Sequence, residues 1–68
     1  MEKNFKTKKD GVTMEVNPCT VEITNANGKH KSEMISVVIQ EVTGKELSIE
    51  LTKDEALRLS GVLLELSK

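Results

Sequence analysis

The sequence is poor in the residues that most often stabilise small proteins through covalent bonds or metals. Its 68 residues include one cysteine (Cys19), one histidine (His30), one proline (Pro18) and one aromatic residue (Phe5). A single thiol excludes an internal disulfide, and Cys19 with His30 supplies only two of the four ligands that a structural zinc ion usually takes. We therefore expect neither a metal site nor a cofactor.

Long apolar runs and an excess of charge of one sign are also lacking. The longest apolar stretch runs from Met34 to Ile39, is interrupted by Ser36, and is far shorter than the roughly 20 residues that span a bilayer. Ten basic and eleven acidic side chains give a net charge of −1, so no overall field attracts the chain to nucleic acid or anionic lipid. With a lone cysteine and no cleavable apolar leader, we expect a cytoplasmic protein that is not associated with a membrane.

Residue constellations that perform catalysis are missing as well. The chain has no glycine-rich phosphate loop and no serine in a nucleophile elbow. The carboxylate pairs Glu46/Glu50 and Glu15/Glu22 fall on strand positions that we expect to face solvent, and His30 lies between two lysines beside a turn. We therefore expect no enzymatic activity and no catalytic residue.

The first ten residues form a basic segment whose single apolar anchor is Phe5. No regular alternation of apolar residues develops in this segment before Val12. We interpret residues 1–10 as a basic arm or a weak edge strand, and residues 11–68 as a single domain of sheet and helix. The lysines of the segment are the candidate contacts to nucleic acid: Lys3, Lys6, Lys8 and Lys9.

Alternation of apolar and polar residues, typical of half-buried strands, begins at Val12. It predicts one strand over 12–16, ended by Asn17-Pro18, and a second strand over 19–24. The segment from Asn25 to Gly28 then predicts a hairpin turn, because Asn and Gly tolerate positive φ. The side chains of the second strand that we expect to face inward are Cys19, Val21 and Ile23.

The most apolar segment, 31–42, predicts a central strand with apolar side chains on both faces. A turn at 43–45 leads into a fourth strand over 46–51, in which apolar and polar residues alternate. The inner stripe of the sheet consists of Ile35, Val37, Ile39, Ile49 and Leu51. The opposite face of the central strand carries Met34, Val38 and Val42.

Strand register stays open at the turns around Gly28 and Gly44. A two-residue Asn27-Gly28 loop would pair Val21 with Met34, whereas three-residue loops shift the pairing by one residue. We prefer the three-residue loops, because such a slip exchanges the faces of a strand and the larger apolar set should be buried. The preferred pairs are Cys19 with Ile35, Ile39 with Ile49, and Val37 with Leu51.

The sequence Thr52-Lys53-Asp54-Glu55 is a capping box and predicts the start of a helix. Apolar residues at helical spacing are expected to cover the inner stripe of the sheet: Ala56, Leu59, Val62, Leu63 and Leu66. Leu57 and Leu64 lie outside this face and form a second, narrower stripe.

Together these elements predict an α+β fold, an antiparallel meander sheet of three to four strands with one C-terminal helix packed on one face. A chain this short buries only about 60% of its unfolded surface, so its core is marginal. Since neither a disulfide nor a metal is available, we expect support from a homodimer. The apolar side chains left over for a dimer or partner interface are Met34, Val38, Val42, Leu57 and Leu64.

The last of the four strands leads directly into the capped helix through Ile49-Glu50-Leu51-Thr52-Lys53-Asp54-Glu55. In outline, this arrangement looks like the positive cofactor four family of single-strand DNA-binding transcription coactivators. The resemblance implies a homodimer whose sheets present curved grooves to unpaired strands. That family stacks bases on aromatic side chains, a large term in single-strand affinity, whereas this chain has only Phe5. The residues that we expect on the outer face are not basic: Thr20, Glu22, Thr24, Glu46 and Glu50.

The preferred interpretation is a non-enzymatic small interaction protein, a regulator, adaptor or inhibitor that docks on another protein. A host or a phage or other mobile element could encode such a protein equally well. Two surplus apolar stripes support it, because contiguous exposed apolar surface marks interaction sites. A dimer that binds single-stranded nucleic acid is the alternative.

Overall fold

The computed structural model describes residues 3–68 and contains four antiparallel strands followed by one helix. The elements are β1 (Phe5–Lys9), β2 (Val12–Asn25), β3 (Gly28–Glu41), β4 (Glu46–Leu51) and α1 (Lys53–Leu66). The strands form one sheet in the order β1-β2-β3-β4, so neighbours in the sheet are neighbours in sequence. The predicted α+β meander with a C-terminal helix is confirmed.

The basic N-terminal segment contributes an edge strand, which is one of the two interpretations that the sequence left open. β1 pairs along its whole length with residues 12–16 of β2. In the turn between them, Asp10 and Gly11 have φ of 51° and 78°, a left-handed conformation that Asp and Gly adopt more readily than branched residues. Met1 and Glu2 lie outside the described residues.

The prediction that Asn17-Pro18 ends a strand is wrong, because β2 continues through both residues to Asn25. Pro18 pairs with Ile35 of β3, but it lies beyond the end of β1. Within residues 3–68, β2 has no strand on its other side there, and a proline without an N–H is tolerated on such an edge. The strands predicted over 12–16 and 19–24 are therefore one strand.

The pairing of β2 with β3 is shifted by one residue from the preferred register and by two residues from the Asn27-Gly28 alternative. Asn25 pairs with Gly28, which has a φ of 108°, and Ala26 and Asn27 form a two-residue loop. The N–H of Asn27 donates to Oδ1 of Asn25 at 2.9 Å and stabilises the turn. Both predicted pairings, Cys19 with Ile35 and Val21 with Met34, are wrong. The observed pairs are Cys19 with Met34 and Val21 with Ser32.

The pairing of β3 with β4 differs from the prediction by two residues, which leaves every side chain on its predicted face. The observed pairs are Ile35 with Leu51, Val37 with Ile49, and Ile39 with Leu47. A shift of one residue would have exchanged the faces, whereas a shift of two does not. The inner apolar stripe of β3 and β4 therefore forms as expected, on the side of the sheet that carries α1.

The two faces of β2 are assigned differently from the prediction. Because β2 is continuous, Val16 lies on the face that carries α1, here called the helix-side face, and Cys19 lies on the opposite, outer face. Val21 and Ile23 follow Cys19 to the outer face, so the prediction that these three residues face inward is wrong. The prediction that Thr20, Glu22 and Thr24 lie on the outer face is also wrong, since they lie on the helix-side face.

α1 begins with the predicted capping box. Oγ1 of Thr52 accepts a hydrogen bond from the N–H of Glu55 at 3.1 Å, and the Glu55 carboxylate accepts one from the N–H of Thr52 at 2.9 Å. The bond from the Thr52 backbone lowers the pKa of Glu55, because it stabilises the charged form. Lys53 joins this first turn to Glu33 of β3 through an ion pair of 2.7 Å, which lowers the pKa of Glu33.

The chain by itself has no hydrophobic core, since no side chain within residues 3–68 is buried. α1 contacts only β3 and β4, and it leaves most of the helix-side face open. Within the inner stripe, Ile35, Val37 and Leu51 are half-buried, whereas Ile39 is 38% exposed and Ile49 is 57% exposed. The expectation that α1 covers the whole stripe is therefore wrong, although the helix lies on the predicted side.

Candidate interaction surface

A groove of about 540 Å³ separates α1 from the sheet on the helix-side face. Its floor is formed by Phe5, Met14, Val16, Ile35, Val37 and Leu51, and its wall on α1 is formed by Ala56, Leu59, Ser60 and Leu63. Ser60 is the one polar residue of these ten, and its hydroxyl already donates to the carbonyl of Leu57 at 2.8 Å. The groove therefore offers apolar contact and very little hydrogen bonding.

A second hollow of about 410 Å³ lies along the flank of α1 that carries Leu57. It is lined by Ile35 of the sheet and by Lys53, Ala56, Leu57 and Ser60 of the helix. Because Ile35 and Ser60 also line the groove, the two hollows adjoin. They leave apolar surface open both beneath α1 and beside it.

α1 is apolar around more of its circumference than one sheet can cover. At about 100° per residue, the apolar positions from Val62 through Ala56 to Leu57 span an arc of roughly 220°. A helix that packs on a single surface needs an apolar stripe of only about 100°. The remaining arc carries charged residues, including Arg58 and Asp54, whose side chains pair at 3.1 Å. The rest of the apolar arc requires a second surface.

The structure does not bring the five predicted interface residues together. Met34 and Val38 are half-buried on the outer face of β3, whereas Leu57 and Leu64 are 71% and 65% exposed on α1. Val42 lies in the turn after β3, where its N–H donates to the carbonyl of Gly11 at 2.9 Å. Two separate apolar surfaces therefore exist, one on α1 and one on the outer face.

The apolar patch on the outer face is larger than the sequence indicated. Cys19 pairs with Met34, and both are half-buried, as is Val21 on the same face. Sequence reasoning missed this patch because it placed Cys19 and Val21 inward. The sequence carries no local signal for it, because proline is tolerated or excluded in a strand according to whether another strand lies beside it.

The four N-terminal lysines do not share one face. Lys6 and Lys8 lie on the outer face of β1, whereas Lys9 lies on the helix-side face, where its partner in β2 is Val12. Lys3 lines a separate hollow together with Glu33 and Lys53. Only two of the four candidate nucleic-acid contacts are therefore adjacent on one surface.

Polar side chains with the geometry of a metal or catalytic centre are not found among the described residues. Within residues 3–68, no three His, Cys, Asp or Glu side chains converge on a point that could hold a metal ion. His30 is exposed near the hairpin tip, opposite Ile23, and Glu22 forms a 3.9 Å ion pair with Lys29. In the same part of the chain, α1 is too short and too polar to cross a bilayer.

Comparison of the chain with known protein families, with curated proteins and with solved structures gave no significant match. The exposed apolar surfaces are therefore the features from which a function can be inferred.

Proposed function

We propose that this chain is a non-enzymatic interaction protein that acts as a homodimer and docks on another protein. The observation that carries the proposal is that no side chain within residues 3–68 is buried. Burial of apolar surface is the main favourable term in folding, and the isolated chain leaves part of the burial expected for its mass unrealised. A second protein surface is therefore needed to complete the core.

The exposed area gives a measure of the missing contact. The chain exposes 6033 Å², whereas a folded monomer of its mass exposes about 4,200 Å². The excess is about 1,800 Å² per chain, so two chains that covered it mutually would bury about 3,600 Å² in total. Permanent homodimers bury roughly 2,000 to 5,000 Å², and a second copy of this chain is therefore a sufficient partner.

The dimensions of the chain support the same partner. Its radius of gyration is 14.6 Å, whereas a compact domain of this length has a radius of about 11 Å, and one of twice this length has a radius of about 14 Å. One chain is thus as extended as a compact unit of two chains.

The two apolar surfaces suggest two roles. The groove and the α1 flank with Leu57 and Leu64 adjoin, and together they provide the surface for the second copy. The outer patch with Met34 and Val38 faces away from this contact, and it remains accessible in the dimer. We assign the outer patch to the docking of a different protein, which accounts for the regulator, adaptor or inhibitor role.

Sedimentation equilibrium at micromolar concentration tests the homodimer. We expect about twice the chain mass of 7.5 kDa. Leu64→Glu should dissociate the dimer, because it places a charge in the proposed contact. Arg58→Glu, which changes a charge on the polar side of the same helix, should leave the dimer intact. A monomer at every concentration would contradict the proposal.

The docking role is tested with Val38→Glu, compared with Gln40→Glu, which adds the same charge on the same face of the same strand. Both variants should remain dimeric. A protein partner captured from a lysate by the unaltered chain should be lost with Val38→Glu and retained with Gln40→Glu. A partner that both variants retain would exclude the outer patch as its docking surface.

Single-stranded nucleic-acid binding is a second candidate, favoured by the position of Lys6 and Lys8 on the same outer face. A symmetric pairing on the helix side leaves these lysines accessible to phosphates. Binding of an unpaired oligonucleotide should then weaken as salt increases, and Lys6→Gln/Lys8→Gln should reduce both the affinity and the salt dependence. No retention at low salt would eliminate this candidate.

A further inference from the structure

We infer that the two chains pair through antiparallel α1 helices that cross at Ser60 and Gly61. The inference rests on the proposed homodimer and specifies its contact. Leu57, Ser60, Gly61 and Leu64, here called the seam, are spaced so that they lie on one face of the helix. This face adjoins the apolar hollow beside Leu57, which the half-buried Ile35 of the sheet also lines.

The seam is symmetric about its centre, as a two-fold contact requires. Its two small residues lie in the middle and its two leucines lie at the ends. In an antiparallel pair, Leu57 of one chain packs against the partner's Leu64, and the reverse contact is identical. Small residues at the crossing let the two helices approach closely, while the leucines fill the spaces on either side.

Gly61 has no role within its own chain that would require glycine. It has a helical rather than a positive φ, and a Cβ added to it would meet nothing within 4 Å. Glycine in the interior of a helix is unfavourable compared with alanine. A second helix that passes close to this position supplies the missing reason, because it would occupy the space that a side chain needs.

Ser60 is suited to the centre of an apolar contact. Its hydroxyl donates to the carbonyl of Leu57, so its burial leaves no unsatisfied donor. The opposite flank of α1, with Val62 and Leu66, is less suitable, because its first turn carries the charged carboxylate of Glu55. At the ends of the seam, Lys53 and Lys68 are paired with acids of their own chain, at 2.7 Å and 3.2 Å.

Disulfide cross-linking tests the seam and its direction. Cys19→Ser first removes the native thiol, and each variant in this background is checked for dimer mass before oxidation. Ser60→Cys should then cross-link two chains, because a disulfide needs Cβ atoms only about 3.5 to 4.5 Å apart. Arg58→Cys, on the charged side of α1, is the matched control and should not cross-link.

The direction of the helices is read from Leu57 and Leu64. Leu57→Cys/Leu64→Cys should form a cross-linked dimer, whereas either single variant should not. In an antiparallel pair, the two copies of position 57 lie about 10 Å apart along the axis. Cross-linking by Leu57→Cys alone would show a parallel pair and overturn the inference.

Gly61→Ala gives an independent measurement. At a close crossing it should weaken the dimer about tenfold or more, whereas at an open helix position it would strengthen folding. A dimer that is unchanged or stronger, or one in which neither Ser60→Cys nor Leu57→Cys/Leu64→Cys cross-links, would reject the seam but leave the homodimer standing. A monomeric unaltered chain would reject both.

Discussion

The proposed homodimer predicts that dilution lowers the melting temperature of this protein, because the second chain would cover apolar surface that one chain leaves exposed. For a dimer that unfolds to two separate chains, the folded state becomes less favourable as the concentration falls. Each tenfold dilution removes about 1.4 kcal/mol per mole of dimer. Two chains of 68 residues have an unfolding entropy of about 0.29 kcal/mol/K. The ratio gives a shift of about 5 °C for each tenfold dilution.

Circular dichroism at 222 nm can follow the melting of α1 over this range. Between about 100 and about 1 μM chain, the midpoint should fall by about 10 °C. Leu64→Glu serves as the control, because a chain that cannot pair should show low stability and no dependence on concentration. A midpoint that is constant to within about 1 °C across this range would refute the reasoning, since a monomer alone behaves in that way.

Further predictions concern single elements of the fold. Thr52→Ala should lower the free energy of unfolding by about 1 kcal/mol, measured by denaturant titration, because it removes the helix cap; no change would show that the cap is not formed. Because folding lowers its pKa, Glu55 stabilises the folded state at pH values above its ordinary pKa of 4.5, and this stabilisation is lost as the pH falls through the folded pKa. Glu55→Gln should therefore flatten the decline in stability on acidification. Deletion of Met1–Lys9 should reduce the melting temperature, because it removes β1 and the Phe5 side chain of the groove; an unchanged value would show that β1 contributes nothing. Ile49→Ala should cost about 2 to 5 kcal/mol if the dimer buries this side chain, and a cost well below 1 kcal/mol would show that it remains exposed as in the single chain.

The features that are best predicted from the sequence depend on residues adjacent to one another in the chain. The capping box at Thr52 and Glu55 depends on four consecutive residues, and both of its hydrogen bonds are present. The alternation in β4 likewise identified its apolar face. The end of a strand at Pro18 could not be judged locally, because proline is tolerated or excluded according to whether another strand lies beside it.

The strand register and the candidate interaction surface depend on contacts between residues that are distant in the sequence. The turn at Gly28 allowed loops that differ by one residue, and that difference decides whether Cys19 points to the helix or away from it. The extent of cover by α1 could not be derived from its apolar pattern, which gives the width of the apolar arc but not how closely α1 approaches its own sheet. Leu57 and Leu64 are surplus apolar residues in the sequence pattern, whereas the role proposed for Gly61 has no local signal, because a helix tolerates a glycine.

The position of Pro18 also has a consequence for how far association can proceed. Beyond Val16, the edge of β2 is not covered by any strand within residues 3–68, and such edges can recruit strands from other chains into open-ended fibres. A proline at the start of this stretch removes one donor from the exposed row and interrupts any added strand. This part of the β2 edge is therefore a poor template for a further strand, and the proposed pairing of two chains through α1 would not be extended along it.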